Sequence, residues 1–363
     1  MEGADLAADV ALVRDSVRGG GLLAPPQPVL VMLSGGRDSV CLLDVAVALR
    51  TAQAVSALHV NYGLREQADA DEHHCVGLCR ALDVPLRVVR ERRSAPAAGA
   101  ATETAHAVAP TGAEKGGAGN VQAWAREVRY RAAAQVAREG GAVIASGHTA
   151  SDQVETILYR LAASPGRRAL LGMAPSDRIE SGARLVRPLL SITREQTTAY
   201  CRARGLRWRE DESNESLQYA RARVRLGMLP ALRAVHPAAE ANVARTARLL
   251  REEAELLQAL VEEELGGGAS IPIDRLAQLS PALARLVVVR LAEDAAGTYV
   301  PQAGGRVQEL LALGRRGGRA ELHLGGGAGA IIERGELRMV RLPPRAGAAP
   351  ASAETEHGRD QSH

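Results

Sequence analysis

A short segment that follows an apolar run combines glycines, hydroxyls and a carboxylate. Residues 29–33 are apolar, and the next six residues are Ser34-Gly35-Gly36-Arg37-Asp38-Ser39. Adjacent glycines let backbone N–H groups approach a phosphate closely, and the N-terminus of a following helix favours negative charge. Asp38 and Ser39 supply oxygens that suit Mg²⁺ and phosphate. The segment predicts a phosphate-binding loop, and an ordinary glycine turn that caps a helix is the alternative.

A second segment places His148, Asp152 and Glu155 at another junction between a strand and a helix. Asp152 and Glu155 are three residues apart, so both carboxylates lie on one face near the start of the helix. Two carboxylates in this position can hold an ammonium group or Mg²⁺. Thr149 and Asp152 also form a capping-box pattern. The residues alone therefore leave a helix cap open as the alternative.

The middle of the chain is basic. Residues 160–233 contain 15 arginines and 7 acidic residues, whereas the whole chain has a net charge of only +3. Five of these arginines flank a tryptophan or alternate with small and apolar residues: Arg207, Arg209, Arg221, Arg223 and Arg225. Because a guanidinium binds phosphate in a bidentate manner, they are predicted to contact a nucleic-acid backbone. A solvated, partly ion-paired surface is the alternative.

Composition excludes several classes of protein. The chain has 363 residues, of which 46% are hydrophobic and 24% charged, and only four are cysteines. So few cysteines make no disulfide framework and favour a reducing cytoplasm. No apolar run is long enough for a membrane span. Residues 1–25 carry four acidic residues and no apolar core, so we do not expect them to be a secretory signal. A metal site at residues 73–79 is disfavoured because Cys75 and Cys79 have no second pair.

Apolar runs alternate with helical patterns along the first half of the chain. Strands are predicted at 29–33, 54–60, 84–90, 142–146 and 184–190, with helices between them. This alternation predicts an α/β fold with a doubly wound parallel sheet that helices cover on both faces. Farther along, 237–264 and 280–313 have helical patterns, and 319–341 has the pattern of strands and turns.

Four segments follow from this pattern. We expect an N-terminal helix within 1–27, the α/β domain at 28–215, a smaller helical region with terminal strands at 216–343, and a disordered tail at 344–363. Residues 94–120 interrupt the α/β pattern, since 10 of these 27 residues are alanine and 5 are glycine. They predict a mobile surface insertion.

The loop at residues 34–39 resembles the pyrophosphate loop of N-type ATP pyrophosphatases, the PP-loop enzymes. Further motifs occur in order along the chain, at 59–65 (HVNYGLR), 124–131 (WAREVRYR), 146–156 (SGHTASDQVET), 187–190 (RPLL) and 211–214 (DESN). Together the series resembles tRNA(Ile)-lysidine synthetases, bacterial ligases, over about residues 28–235.

The resemblance implies a two-step ligation. ATP and Mg²⁺ bind at Ser34 through Ser39, with Asp38 as the metal ligand. The wobble cytidine of an isoleucine tRNA with a CAU anticodon is adenylated at C2, and free lysine then displaces AMP to give lysidine. Asp152 and Glu155 bind the lysine, Arg129 lies near a substrate phosphate, and His148 lies beside the reacting nucleotide. The resemblance also suggests a homodimer.

Two alternatives remain at this stage. One is another PP-loop enzyme acting on tRNA, such as a thiolase, which the absence of a Cys-x-x-Cys motif disfavours. The other is a catalytically idle tRNA-binding homologue. Ser151 and Ala222 are its support, because the family usually has Asp and Asn at these positions.

Overall fold

The computed structural model describes residues 2–64, 67–92, 117–163, 166–179, 181–210 and 220–343. The chain divides into two compact units, and the division falls between Glu253 and Ala254. None of the helices in the described ranges has the length and apolar character that a membrane span requires. The predicted tail, the predicted domain boundary at 215 and residues 94–116 of the predicted insertion lie outside the described residues.

The first unit contains a six-stranded sheet. Its strands are β1 (Val29–Met32), β2 (Val55–Asn61), β3 (Leu86–Arg90), β4 (Val143–Ala145), β5 (Ser176–Arg178) and β6 (Arg184–Val186). They lie in the order β3-β2-β1-β4-β6-β5, and every neighbouring pair is parallel except β5 and β6. The predicted doubly wound parallel sheet is confirmed. The sequence gives no apolar signal for β5 because all three of its residues are exposed.

Helices connect these strands. In chain order they are α1 (Glu2–Gly19), α2 (Arg37–Arg50), α3 (Ala68–Ala81), α4 (Gly117–Gly140), α5 (Ala150–Ala163), α6 (Arg167–Leu170), α7 (Arg194–Ala203), α8 (Ala220–Arg223) and α9 (Leu229–Val235). A π-helical turn at Val224–Met228 joins α8 to α9. Helix α4 begins at Gly117, within the segment 94–120 that is predicted to be a mobile surface insertion.

Both faces of the sheet are buried, as the central strand illustrates. Val29 and Val31 pack into one apolar cluster, with α1, α2 and α7, whereas Leu30 and Met32 pack into another, with α4. The alternation follows from strand geometry, since successive side chains point to opposite faces. A continuous apolar run is therefore what a central strand of a doubly covered sheet requires.

The order of the strands determines where a site can form. β1 lies between β2 and β4, so the chain leaves β1 toward one side of the sheet and later returns to its other side. In open parallel sheets a crevice forms at the carboxyl ends of the two strands where the winding reverses. Residues 34–39 follow β1 and residues 146–149 follow β4, so both predicted motifs lie at this edge.

The second unit begins within a long helix, α10 (Ala239–Leu265). It contains β7 (Ser270–Pro272), α11 (Ile273–Gln278), α12 (Pro281–Ala296), α13 (Val307–Arg315), β8 (Ala320–Gly325), β9 (Ala328–Glu333) and β10 (Glu336–Arg341). The four strands pair antiparallel in the order β7-β10-β9-β8. The helical pattern predicted at 280–313 is two helices, because Gly297 ends α12 with a φ of +68° and Pro301 follows.

Candidate active site

The loop between β1 and α2 is closed by its own hydroxyls. The Ser39 hydroxyl donates to the Gly36 carbonyl at 2.8 Å, and the Ser34 amide donates to the Ser39 hydroxyl at 3.2 Å. Gly35 has a φ of +86°, and a Cβ there would lie 3.3 Å from the Sγ of Cys75. The backbone is thus shaped by glycine at a helix N-terminus, which is the arrangement that receives a phosphate.

The loop after β4 packs directly against the phosphate loop. A Cβ added at Gly147 would lie 3.0 Å from the backbone carbonyl of Asp38 and 3.1 Å from the amide of Ser39. Only a glycine permits so close an approach of two backbones. The start of α5 is therefore held beside the start of α2, as the strand order requires.

The two predicted acidic residues have different local roles. One oxygen of Asp152 accepts hydrogen bonds from both the amide and the hydroxyl of Thr149, each at 2.8 Å, so it caps α5. Its other oxygen accepts from Arg194 at 2.7 Å. Glu155 is almost fully buried and accepts from Arg194 at 3.1 Å. The cap and the charge pair therefore coexist, because the two oxygens of Asp152 serve separate partners.

Arg194 joins this acidic pair to the phosphate loop. It is the first residue of α7, which begins with a capping box between Thr193 and Gln196. Besides its bonds to Asp152 and Glu155, its Nε lies 3.7 Å from Asp38. Burial opposes charge on this guanidinium, but the three carboxylates outweigh burial and raise the pKa of Arg194.

A second arginine also binds Glu155. Arg225, in the π-helical turn, donates from Nε at 2.7 Å and from a terminal nitrogen at 2.9 Å to the two oxygens of the carboxylate. This bidentate geometry is the strongest form of an arginine–carboxylate pair. Glu155 thus holds two guanidinium groups, and the acidic pair is fully compensated by side chains of the chain itself.

Burial and neighbouring charges shift the pKa values of Asp152 and His148. Burial alone would raise the pKa of Asp152, but Arg194, His148 and the hydrogen bonds from Thr149 bring it below its ordinary value. Burial lowers the pKa of His148 to about 4, with Arg187, Arg129 and Arg126 acting in the same direction and Asp152 opposing them. His148 is therefore neutral at pH 7, with its Nδ1 2.7 Å from the Ser146 hydroxyl.

Comparison with known proteins shows which family the chain belongs to. Residues 22–232 match the PP-loop domain family. The tRNA(Ile)-lysidine synthase of Salinispora tropica is 36% identical over 93% of this chain and 98% of its own length. The chain belongs to the tRNA(Ile)-lysidine synthase family. It spans 49% of another member, from Chromobacterium violaceum, at 40% identity over 65% of this chain.

A solved structure shares the fold. The U34-tRNA thiolase NcsA from Methanococcus maripaludis has a TM-score of 0.51 over 68% of this chain and 80% of its own, at 16% identity. So low an identity shows the PP-loop fold and no more. The names of the relatives favour lysidine synthesis over the thiolation alternative.

The two cysteines of α3 are buried. Burial raises the pKa of Cys75 to about 12 and that of Cys79 to about 11, so both thiols stay protonated at neutral pH.

The arginines predicted to contact nucleic acid have several different surroundings. Arg207, Arg221 and Arg223 are exposed. Arg209 pairs with Asp71 at 3.0 Å. Arg225 is partly exposed, and its guanidinium is bound by Glu155, so its predicted contact with nucleic acid stays a prediction. The alternation of arginines indicates a basic segment but does not show that the π-helical turn directs one of them inward.

Three further residues at this site are not among the predicted site residues, although one of them opens the RPLL motif. They are Arg194, Arg187 and Glu240. Glu240, at the start of α10, is buried, accepts from the Ser151 hydroxyl and pairs with Arg233. Ser151 also accepts from the Arg194 amide at 3.1 Å. Arg194 directly follows Thr193, the N-cap of α7. The DESN motif at 211–214 lies outside the described residues.

Proposed function

We propose that this chain adenylates the wobble cytidine of an isoleucine tRNA with a CAU anticodon at C2 and then joins free lysine there. Membership of the tRNA(Ile)-lysidine synthase family supports ATP and tRNA as substrates. The observation that carries the proposal is Arg194, whose one guanidinium contacts Asp38 of the phosphate loop and both carboxylates of the acidic pair. A single cationic group therefore reaches from the ammonium site to the phosphate loop.

Adenylation is assigned to the loop and Asp38. Backbone N–H groups at the start of α2 bind the phosphates and stabilise the charge that develops on them. Asp38 accepts from Thr197 at 2.5 Å on one oxygen, while its other oxygen lies beyond hydrogen-bond distance of Arg194. In the described ranges no three His, Cys, Asp or Glu side chains gather as a metal site. A lone Asp38 fits Mg²⁺, which takes its other ligands from substrate phosphates and adds positive charge there.

Lysine binding is assigned to Asp152 and Glu155. Both carboxylates already bind guanidinium groups, so an incoming ammonium has to replace one of them. Arg225 is the proposed one to leave, because among the described residues it pairs with one carboxylate, Glu155, whereas Arg194 is held by three. Once released, Arg225 is free to contact an RNA phosphate, as its neighbours are predicted to do.

His148 is proposed to act as a neutral hydrogen-bonding group beside the reacting nucleotide. The amine of lysine, with an ordinary pKa of roughly 10.4, must lose a proton before it attacks. A group with a pKa of about 4 takes up almost no proton at neutral pH, so His148 is too weak a base for this task. Its tautomer, with one ring nitrogen paired to Ser146, leaves the other nitrogen for the substrate.

The test is incorporation of labelled lysine into the tRNA. Purified protein is incubated with the CAU isoleucine tRNA, ATP, Mg²⁺ and radiolabelled lysine, and label in precipitated RNA is counted. We expect label only when ATP is present. Glu155→Gln, which changes a proposed lysine ligand, is tested in the same way. Glu139→Gln, which changes an exposed glutamate on α4, is its matched control. Binding of ATP and tRNA with no label under any condition would instead establish the idle homologue. The homodimer and the cytoplasmic location remain predictions.

A further inference from the structure

Ser151, in the first turn of α5, connects two other segments of the first unit, and it is fully buried. Its hydroxyl accepts a hydrogen bond from the backbone amide of Arg194 at 3.1 Å and donates one to a carboxylate oxygen of Glu240. An amide N–H can only donate and an ionised carboxylate can only accept, so the single hydroxyl proton points to Glu240. A chain of two hydrogen bonds therefore links the Arg194 amide to a carboxylate 89 residues beyond Ser151.

The donor end of this chain is the first residue of α7. The amides in the first turn of a helix have no partner within the helix, so the Arg194 amide needs an acceptor from another segment. The same two helix starts share a second bond, which the amide of Ala150 donates to the carbonyl of Ile192 at 2.8 Å. The start of α5 is thus held against the start of α7.

Two side chains in the first turn of α7 lie beside Asp38. The Thr197 hydroxyl donates to one oxygen of Asp38 at 2.5 Å, and the Nε of Arg194 lies 3.7 Å from the other oxygen. The Thr197 hydroxyl also lies 3.0 Å from the carbonyl oxygen of Arg194, so the two residues are fixed to each other. A shift of this turn would therefore change the surroundings of the carboxylate that is assigned to adenylation.

Glu240 reaches Ser151 together with a counter-charge. It lies in the first turn of α10, is almost fully buried, and accepts from the Nε of Arg233 on the oxygen that does not face Ser151. Arg233 also donates to Glu195 at 2.6 Å. Burial opposes charge on Arg233, but Glu240 and Glu195 outweigh burial and raise the pKa of its guanidinium. One oxygen of Glu240 is therefore bound by a cation, and the other accepts from Ser151.

We propose that Glu240 is a positioning residue for adenylation: through the Ser151 hydroxyl it fixes the backbone of Arg194, and with it the turn beside Asp38. The proposal rests on the proposed function and adds to it a carboxylate that acts from α10. Glu240 acts through Ser151, and no contact with a substrate is assigned to it. Ser151 is one of the two positions that support the idle-homologue alternative, so the test also bears on that alternative.

The variants reverse the direction of one hydrogen bond. The side chain of Glu240→Gln has a single acceptor oxygen; when this oxygen faces Arg233, its NH2 group faces Ser151, and the hydroxyl proton loses its acceptor. Adding Ser151→Asp restores complementary contacts, because one new oxygen accepts from the Arg194 amide and the other from that NH2 group. Ser151→Asp alone brings two buried carboxylates together. The matched control is Glu195→Gln, which removes a carboxylate from Arg233 but leaves Ser151 and Glu240 unchanged.

The first measurement needs no turnover. Hydrogen–deuterium exchange is followed in the peptide that covers residues 192–199. We expect Glu240→Gln to exchange about tenfold faster there, and Ser151→Asp/Glu240→Gln to return to the wild-type rate. Peptides from β1 and β2 should not change, whereas a general loss of stability would speed their exchange as well. Exchange at 192–199 in Glu240→Gln that equals that of Glu195→Gln would overturn the proposal.

The second measurement is the rate of AMP transfer to tRNA without lysine, expressed per molecule of folded protein. We expect Glu240→Gln to lower kcat about tenfold and Ser151→Asp/Glu240→Gln to recover to within about threefold of wild type. The KM for ATP should not change, because the loop backbone binds its phosphates. A double variant slower than either single variant would overturn the positioning role. If Glu240→Gln does not fold, Ser151→Ala, which keeps the pair of Glu240 with Arg233, should show the same loss.

The two measurements separate this proposal from the proposed function. Wild-type protein that transfers no AMP, with exchange at 192–199 that changes as expected, contradicts the proposed function alone. Folded Glu240→Gln that transfers AMP at the wild-type rate contradicts the positioning role alone, whatever its exchange.

Discussion

Two groups of charged side chains lie near His148, and their compensation differs. The acidic pair, Asp152 and Glu155, is bound by Arg194 and Arg225 at distances between 2.7 and 3.1 Å. The basic group of Arg126, Arg129 and Arg187 has no carboxylate within ion-pair distance in the described ranges. The acidic pair is bound directly by guanidinium groups of the protein, whereas Asp177 acts on Arg187 only from beyond ion-pair distance.

The pairing of the acidic residues affects how lysine can bind. An ammonium group gains access to the acidic pair only by exchange with a guanidinium, so its apparent affinity is reduced by the fraction of molecules in which the carboxylates are occupied. We therefore expect lysine to bind weakly while Arg225 is bound to Glu155. A tRNA phosphate that binds Arg225 would release Glu155 for the lysine.

The largest expected effect is at the phosphate loop, which lies outside both groups. Asp38→Asn should lower the rate of tRNA adenylation by roughly 10²–10³-fold, because a preorganised charge next to the transferred phosphate is lost. The KM for lysine should change little. The measurement is AMP transfer to tRNA with lysine omitted. Thr197→Val, which removes a hydroxyl that bonds to Asp38 and to the carbonyl of Arg194 but keeps the charge of Asp38, should lose less. Equal losses in the two variants would show that the charge of Asp38 is not what matters.

The next effect is at the acidic pair. Glu155→Gln should raise the KM for lysine by about 10- to 100-fold, since a charged hydrogen bond is replaced by a neutral one. Adenylation of tRNA should continue. Both half-reactions are measured separately, with Glu139→Gln as the control. A parallel fall in adenylation and lysine transfer would contradict the assignment of Glu155 to lysine.

Removal of the competing guanidinium should act in the opposite direction. Arg225→Gln should tighten lysine binding to the free protein by about tenfold, because Glu155 no longer binds that guanidinium. Calorimetric titration of lysine checks this, with Arg233→Gln as a comparison because Arg233 pairs with Glu195 and Glu240 instead. Unchanged or weaker binding would mean that Arg225 does not occupy the lysine site.

The smallest effect concerns pH. The pKa of His148 is about 4 in the folded protein and roughly 6.5 when unfolded, so the unfolded state binds more protons between these values. Above pH 6.5 the imidazole is neutral in both states, so its protonation does not affect the free energy of unfolding. As the pH falls from 6.5 toward 4, protonation of the unfolded state lowers that free energy. His148→Gln should remove a loss of about 1 kcal/mol in the free energy of unfolding between pH 7 and pH 5.5. Urea unfolding at both pH values measures it, and His323→Gln, an exposed change in the second unit, should keep the wild-type slope.

The sequence predicts those parts of the molecule that local patterns determine. Apolar runs reveal β1 through β4, and the glycine pair before Asp38 reveals the phosphate loop, because strand burial and backbone freedom are properties of a few adjacent residues. Contacts between distant segments leave no such pattern. Arg194 lies 39 residues beyond Glu155. Arg225 has the same alternating sequence pattern as its exposed neighbours, but in the structure it lies in the π-helical turn and its guanidinium is bound by Glu155. The exposed strand β5 has no apolar alternation to detect.

Transfer of labelled AMP to the tRNA directly tests the proposed adenylation step. The protein is incubated with Mg²⁺, ATP labelled at the α-phosphate and the CAU isoleucine tRNA, first without lysine and then with it. We predict that label enters the RNA in the first stage, with pyrophosphate released, and leaves as AMP when lysine is added. Release of ADP or inorganic phosphate in place of pyrophosphate, or label that stays on the RNA after lysine is added, would contradict it.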